Sequence, residues 1–135
     1  MHLAITNRLD EVFTALDRAD DLLCQAQLAL PQREDIRLVL EELLVNTVHY
    51  GYPDGRHGRI DMHLRIGADA VVVELRDDGI PYDPLDHPSP VLSGDHADSE
   101  EQGGFGVHLV RSITSEVHYA RDAHGNHIVL RFDHP

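Results

Sequence analysis

The apolar positions of this chain change period twice. A half-apolar run at His2–Thr6 reads as a first strand. From Leu9 onward, Val12, Leu16, Ala19, Leu23 and Ala26 recur at intervals of three and four, the period of an amphipathic helix that Leu30-Pro31 ends. Pro31 opens a second helix, predicted to hold Glu34 and Asp35 in its first turn, with Ile36, Val39, Leu40, Leu43 and Thr47 as its apolar stripe. Glycine and proline at Gly51, Pro53 and Gly55 close it.

The period then falls to two. In Arg59–Ile66 the residues Ile60, Met62, Leu64 and Ile66 share a face, and in Ala70–Arg76 so do Val71, Val73 and Leu75. The short Gly67-Ala68-Asp69 link makes the pair an antiparallel hairpin. Residues 83–102 carry Pro84, Pro88 and Pro90 and no periodicity, the length and texture of a lid (about 83–103) or of disordered chain. Helical spacing returns over Gly106–Thr114, and a second hairpin, Glu116–Arg121 and His127–Phe132, turns about Asp122–Asn126. Strand, helix, helix, hairpin, lid, helix, hairpin is the order of an α+β protein. It predicts a two-layer sandwich of a mainly antiparallel sheet with helices on one face, in one domain spanning 1–135.

Composition narrows the function. The chain has 135 residues, a net charge of −13 and no lysine, so all its basic residues are arginine. So acidic a surface repels nucleic-acid backbones, and without lysine a P-loop is excluded. Phosphate binding must therefore use backbone amides, a metal ion or arginine. No apolar run is long enough to span a bilayer, and the start lacks a signal-peptide pattern. With a single cysteine, Cys24, this supports an expectation of a cytoplasmic protein without a membrane partner. Eleven histidines invite a metal reading, but His124 and His127 flank a turn with no cysteine to complete a zinc site, so scattered surface histidine is preferred.

Three short segments carry the chemistry. Glu42 and Asn46, one helical turn apart, share a face about 90° round from the apolar stripe. Asp77-Asp78-Gly79-Ile80-Pro81 ends a strand in a tight loop. Gly103-Gly104-Phe105-Gly106 precedes a helix whose free N–H groups favour an anion. The amide oxygen of Asn46 is a hard ligand suited to Mg²⁺, and Glu42 can accept a proton from a hydroxyl. Asp77 can accept from a base amine, and Gly79 removes a side chain beside the base and frees the backbone to take positive φ. Asp78 and Asp83 read as turn residues, and Tyr82 as a cover for the base or an ordinary packed tyrosine.

In this arrangement the chain resembles the GHKL (Bergerat-fold) ATPases and, among them, the anti-sigma-factor serine kinases of bacteria. Glu42-x-x-x-Asn46 resembles the family's N box, Asp77–Pro84 its first glycine box, and Gly103–Ser112 its second. The resemblance implies an ATP- and Mg²⁺-binding serine/threonine kinase. Glu42 would be catalytic and Asn46 would hold the metal. Asp77, Gly79 and Pro81, with Gly103, Gly104, Phe105, Gly106 and Val107, would bind the nucleotide. It also implies phosphorylation of a small anti-sigma antagonist, exchange with a sigma factor, and a homodimer formed through the first strand and helix. Three residues depart from the family pattern: Tyr50 stands at a common histidine, Pro81 at the second glycine of the first box, and Val107 at a common leucine. These departures keep a second reading open, a nucleotide-responsive binding module without catalysis.

Overall fold

A computed structural model describes residues 1–86 and 106–135. Among the described residues five strands are present: β1 (His2–Thr6), β2 (Arg59–Ile66), β3 (Ala70–Asp77), β4 (Glu116–Asp122) and β5 (Gly125–Asp133). Helices α1 (Leu9–Gln25) and α2 (Leu30–Tyr50) precede β2, and α3 covers residues 106–113. The sheet is antiparallel throughout, in the order β1-β2-β3-β5-β4. Ile60, Met62 and Leu64 of β2, Val71, Val73 and Leu75 of β3, and Ile128, Leu130 and Phe132 of β5 turn one face inward. The buried sides of α1, α2 and, through Val110, α3 cover that face. This is the expected α+β sandwich. The opposite face, with His63, Arg65 and Arg76, is exposed.

Ion pairs Arg37–Asp17 (2.9 Å) and Arg33–Asp20 (3.3 Å) tie α2 to α1. At the free edge of β1, Glu11 accepts from both the backbone N–H (2.9 Å) and the hydroxyl (2.6 Å) of Thr6. The last outward-facing amide of the edge strand is thereby closed off. These bonds hold the Glu11 carboxyl below its ordinary range.

Three local expectations are corrected. Helix α1 stops at Gln25, so Ala26 lies beyond its end and is exposed. Gln27 reverses the chain at φ 65°, and Leu28 N–H closes the turn on Leu23 O (3.1 Å). Helix α2 begins at Leu30, with Pro31 inside its first turn and Arg33 N–H bonded to Ala29 O (3.1 Å). Glu34 and Asp35 therefore fall past the first turn. The second hairpin turns on two residues, Ala123 and His124, rather than five, because Asp122 already pairs with Gly125.

Candidate functional site

On the flank of α2, Asn46 Nδ2 donates to Glu42 Oε1 at 3.1 Å, and both side chains are half-buried. Gly106, the first residue of α3, is buried against this carboxylate: a Cβ there would lie 1.9 Å from Glu42 Oε1. Glu42 thus sits at the start of α3, where unpaired N–H groups favour negative charge. The structure brings Glu42, Asn46 and Gly106 together, with half-buried Val107 next in line. Gly103, Gly104 and Phe105, the expected lid beyond residue 86, and Ser89, Ser93 and Ser99 within it lie outside the described residues.

Asp77 closes β3 beside this flank. Its Oδ1 accepts from Gly79 N–H and from Asn126 Nδ2, each at 2.9 Å. Among the described residues none donates to Oδ2. Burial raises the Asp77 carboxyl above its ordinary range, against the bonds from Asn126 and Gly79 N–H and the Arg121 charge that favour ionisation. A glycine is needed at 79 for a reason other than positive φ, which Gly79 does not adopt. A Cβ there would come within 2.7 Å of Gly51 O, the carbonyl that also takes Ile80 N–H. Pro81 is exposed and off the cleft walls. Asp78 is structural: its Oδ1 accepts from Tyr52 OH (2.8 Å) and Arg59 N–H (2.9 Å).

Leu43 and Thr47 of α2 face Asp77 and Asn126 across a narrow cleft, with Tyr82 and Pro84 over it. Its free volume is about 20 Å³, roughly one water. Tyr82 links the two halves of the site. Its ring lies 5.6 Å from that of Tyr50, and its phenol is pushed up to about 12 by burial and by the charges of Tyr50, Glu42 and Asp83.

The sequence reading missed Asn126, Arg121 and Gly125. Asn126 is 6% exposed and hydrogen-bonded on both sides of its amide. The apolar alternation of Ile128, Leu130 and Phe132, carried back one step, would have placed it on the inward face. Gly125, at φ 130°, lies so close to β3 that a Cβ would stand 2.0 Å from Asp77 O. Gly125→Ala is expected to destabilise the fold by about 3 kcal/mol in urea denaturation, through strained backbone and overlap with β3 together. A loss below about 0.5 kcal/mol would contradict this approach of the two strands.

The histidine kinase-like ATPase domain family matches residues 5–132. The serine/threonine-protein kinase BtrW of Bordetella bronchiseptica is 30% identical over 131 residues, covering 93% of this chain and 92% of the relative. The serine-protein kinase RsbW of Bacillus licheniformis is 26% identical over 94 residues, 67% of this chain and 58% of its own length. Among solved structures, the histidine kinase domain of the Erythrobacter litoralis EL346 blue-light activated histidine kinase superposes over 90% of this chain, with a TM-score of 0.55 and 16% identity. A longer structure of that kinase superposes over 92%, with a TM-score of 0.56 and 17% identity. The chain spans 60% and 40% of those two structures, and at such identities they establish the fold alone. Among the described residues no helix is long and apolar enough to cross a membrane. The family match runs from the first strand to the last, over the same sheet and the same acid-bearing cleft, and so this chain belongs to the histidine kinase-like ATPases.

Proposed function

We propose that the chain is a Mg²⁺-ATP-dependent serine/threonine kinase of the anti-sigma regulatory type, acting on a serine of a small anti-sigma antagonist. The observation that carries the nucleotide reading is the uncommitted Oδ2 of Asp77, in a largely apolar cleft on the flank of the helix bearing Glu42 and Asn46. No described residue donates to this oxygen, so it is open to a donor from a ligand, and the exocyclic amine of adenine is one. The naming of two relatives as protein kinases supports the transfer reaction.

In this reading Asp77 and Gly79 hold the base, with Pro81 stiffening the loop, and the backbone of residues 103–107 meets the phosphates. Among the described residues Asn46 commits only its amide nitrogen, to Glu42, so its oxygen would be the ligand for Mg²⁺. Glu42 accepts the proton of the substrate serine. Bound ATP supplies the phosphoryl group. Nucleotide state then governs whether the chain holds its antagonist or a sigma factor, as a homodimer in a cytoplasmic setting.

A second reading, a nucleotide-responsive binding module, is favoured by one contact: Glu42 Oε1 is already engaged by Asn46. Calorimetric titration of ATP with and without Mg²⁺ tests the common ground. Wild-type protein is expected to bind ATP more tightly with the metal. Asn46→Ala is expected to lose about tenfold in affinity only when Mg²⁺ is present. A wild type that ignores both ATP and ADP overturns both readings. Tight binding without phosphoserine on any antagonist leaves the module.

A further inference from the structure

We infer that Asn126, its amide locked by Tyr119 and Arg121, is a positioning residue that keeps Asp77 a pure acceptor and thereby selects adenine over guanine nucleotides. The inference rests on the nucleotide reading above and deepens it.

The side-chain oxygen of Asn126 accepts from the Tyr119 hydroxyl, from Arg121 Nη1 at 3.1 Å and from Tyr82 N–H at 3.4 Å. Its Nδ2 donates to Asp77 Oδ1 at 2.9 Å and to Ile80 O at 2.8 Å. Only one orientation of the amide satisfies these partners. Reversed, it would point N–H groups at a guanidinium, which has no acceptor, and its oxygen at a carboxylate and a carbonyl. Arg121 Nη1 also donates to Gly79 O at 3.0 Å, so one guanidinium holds both the amide and the loop carrying Gly79.

The consequence falls on Asp77. With Gly79 N–H, the Asn126 amide occupies Oδ1 of this cleft-lining carboxyl, and no described residue donates to Oδ2. That oxygen, ionised, accepts from the 6-amino group of adenine and meets only another acceptor in the 6-oxo group of guanine. Protonated, it donates and the preference reverses. The charges around Asp77 are Asp78 beside it and Arg121 across from it, with Asp83 near Tyr82 and Tyr119. His127 approaches Glu74, at 3.9 Å.

The test titrates ADP and GDP against the full chain across pH. Asn126→Leu is expected to weaken ADP about tenfold and to narrow the ADP-to-GDP preference about tenfold. Asn126→Asp places two carboxylates side by side, weak for ADP at neutral pH. On acidification the pair takes up one proton, the substituted carboxyl donates where the amide did, and ADP affinity first rises before falling, whereas wild-type affinity only falls. A purely structural role for Asn126 does not reverse that slope. Tyr119→Phe, on the edge strand β4, removes one bond to the amide oxygen while the Arg121 charge stays beside Asp77, and is expected to narrow the preference several-fold. Thermal melts identify any variant that fails to fold. ADP-binding variants whose preference and pH slope both match wild type overturn the inference alone. A wild type that binds neither nucleotide overturns the nucleotide reading and this inference with it.

Discussion

Asp77→Asn is expected to lower the affinity for ADP and ATP alike by about a hundredfold, and at the same time to raise the melting temperature of the ligand-free protein. The binding loss follows from replacing Oδ2 with an amide that points its own N–H groups at the ligand's amine. It removes a charge-assisted hydrogen bond and sets donor against donor. The stability gain follows from linkage. Burial lifts the Asp77 carboxyl above its unfolded value, so the folded state binds its proton more tightly. The associated stability is complete at low pH and is lost as pH rises through the folded value, leaving the ionised group as a burden near neutrality. Asparagine keeps the oxygen that takes the Gly79 and Asn126 N–H groups and carries no charge to desolvate. Calorimetric titration beside thermal melts at two pH values reads both arms. The melting gain is expected to shrink in acid. A variant that binds ADP like wild type would remove Asp77 from the nucleotide site.

On the proposed kinase reading, Glu42→Ala is expected to abolish phosphoserine formation on an antagonist substrate, by at least about a hundredfold, while ADP affinity stays within about twofold of wild type. Its carboxylate lies at the start of α3, and Glu42 does not line the Asp77–Asn126 cleft. Gly106→Ala provides the companion test with Glu42 intact. The added methyl would overlap Glu42 Oε1, and either the carboxylate or the first turn of α3 must move. The same loss of transfer is expected, with weaker ADP binding as well where the first turn of α3, proposed to meet the phosphates, is what moves. Phosphorylation at the wild-type rate in both variants would exclude Glu42 from the reaction. Loss in Glu42→Ala alone would mean that the contact with Gly106 is not maintained in the working enzyme.

The parts of this architecture that were readable from sequence are those set by neighbours in the chain. Alternation in Arg59–Ile66 and Ala70–Asp77 and the three-four spacing of α1 and α2 follow from one buried face each, and strands and helices lie where the pattern puts them. Helix ends were less readable. Gln27 in a left-handed conformation carries no compositional signal, and the start of α2 at Leu30 depends on the extended backbone of Ala29. The site divided along the same line. Glu42, Asn46 and Asp77 announce themselves by residue type and spacing. Asn126, beside Gly125 in a polar stretch, reads as a turn residue until β3 and β5 are paired and its opposite number is Asp77. Gly79 takes no positive φ; the neighbour that requires its bareness is the carbonyl of Gly51, far away in sequence. Contacts between segments dozens of residues apart leave no local trace.

The strand order has a consequence for biosynthesis. The last of the five strands to be made, β5, is not an edge but the member that joins β4 to β3. A ribosome-tethered chain that has released β1 to β3 presents Val71, Val73 and Leu75 on a strand whose far side has nothing to pair with, a template for association with other nascent chains. Closure of the cleft, which needs Asn126 against Asp77, must therefore await emergence of β5, and chaperone dependence is expected to centre on that interval.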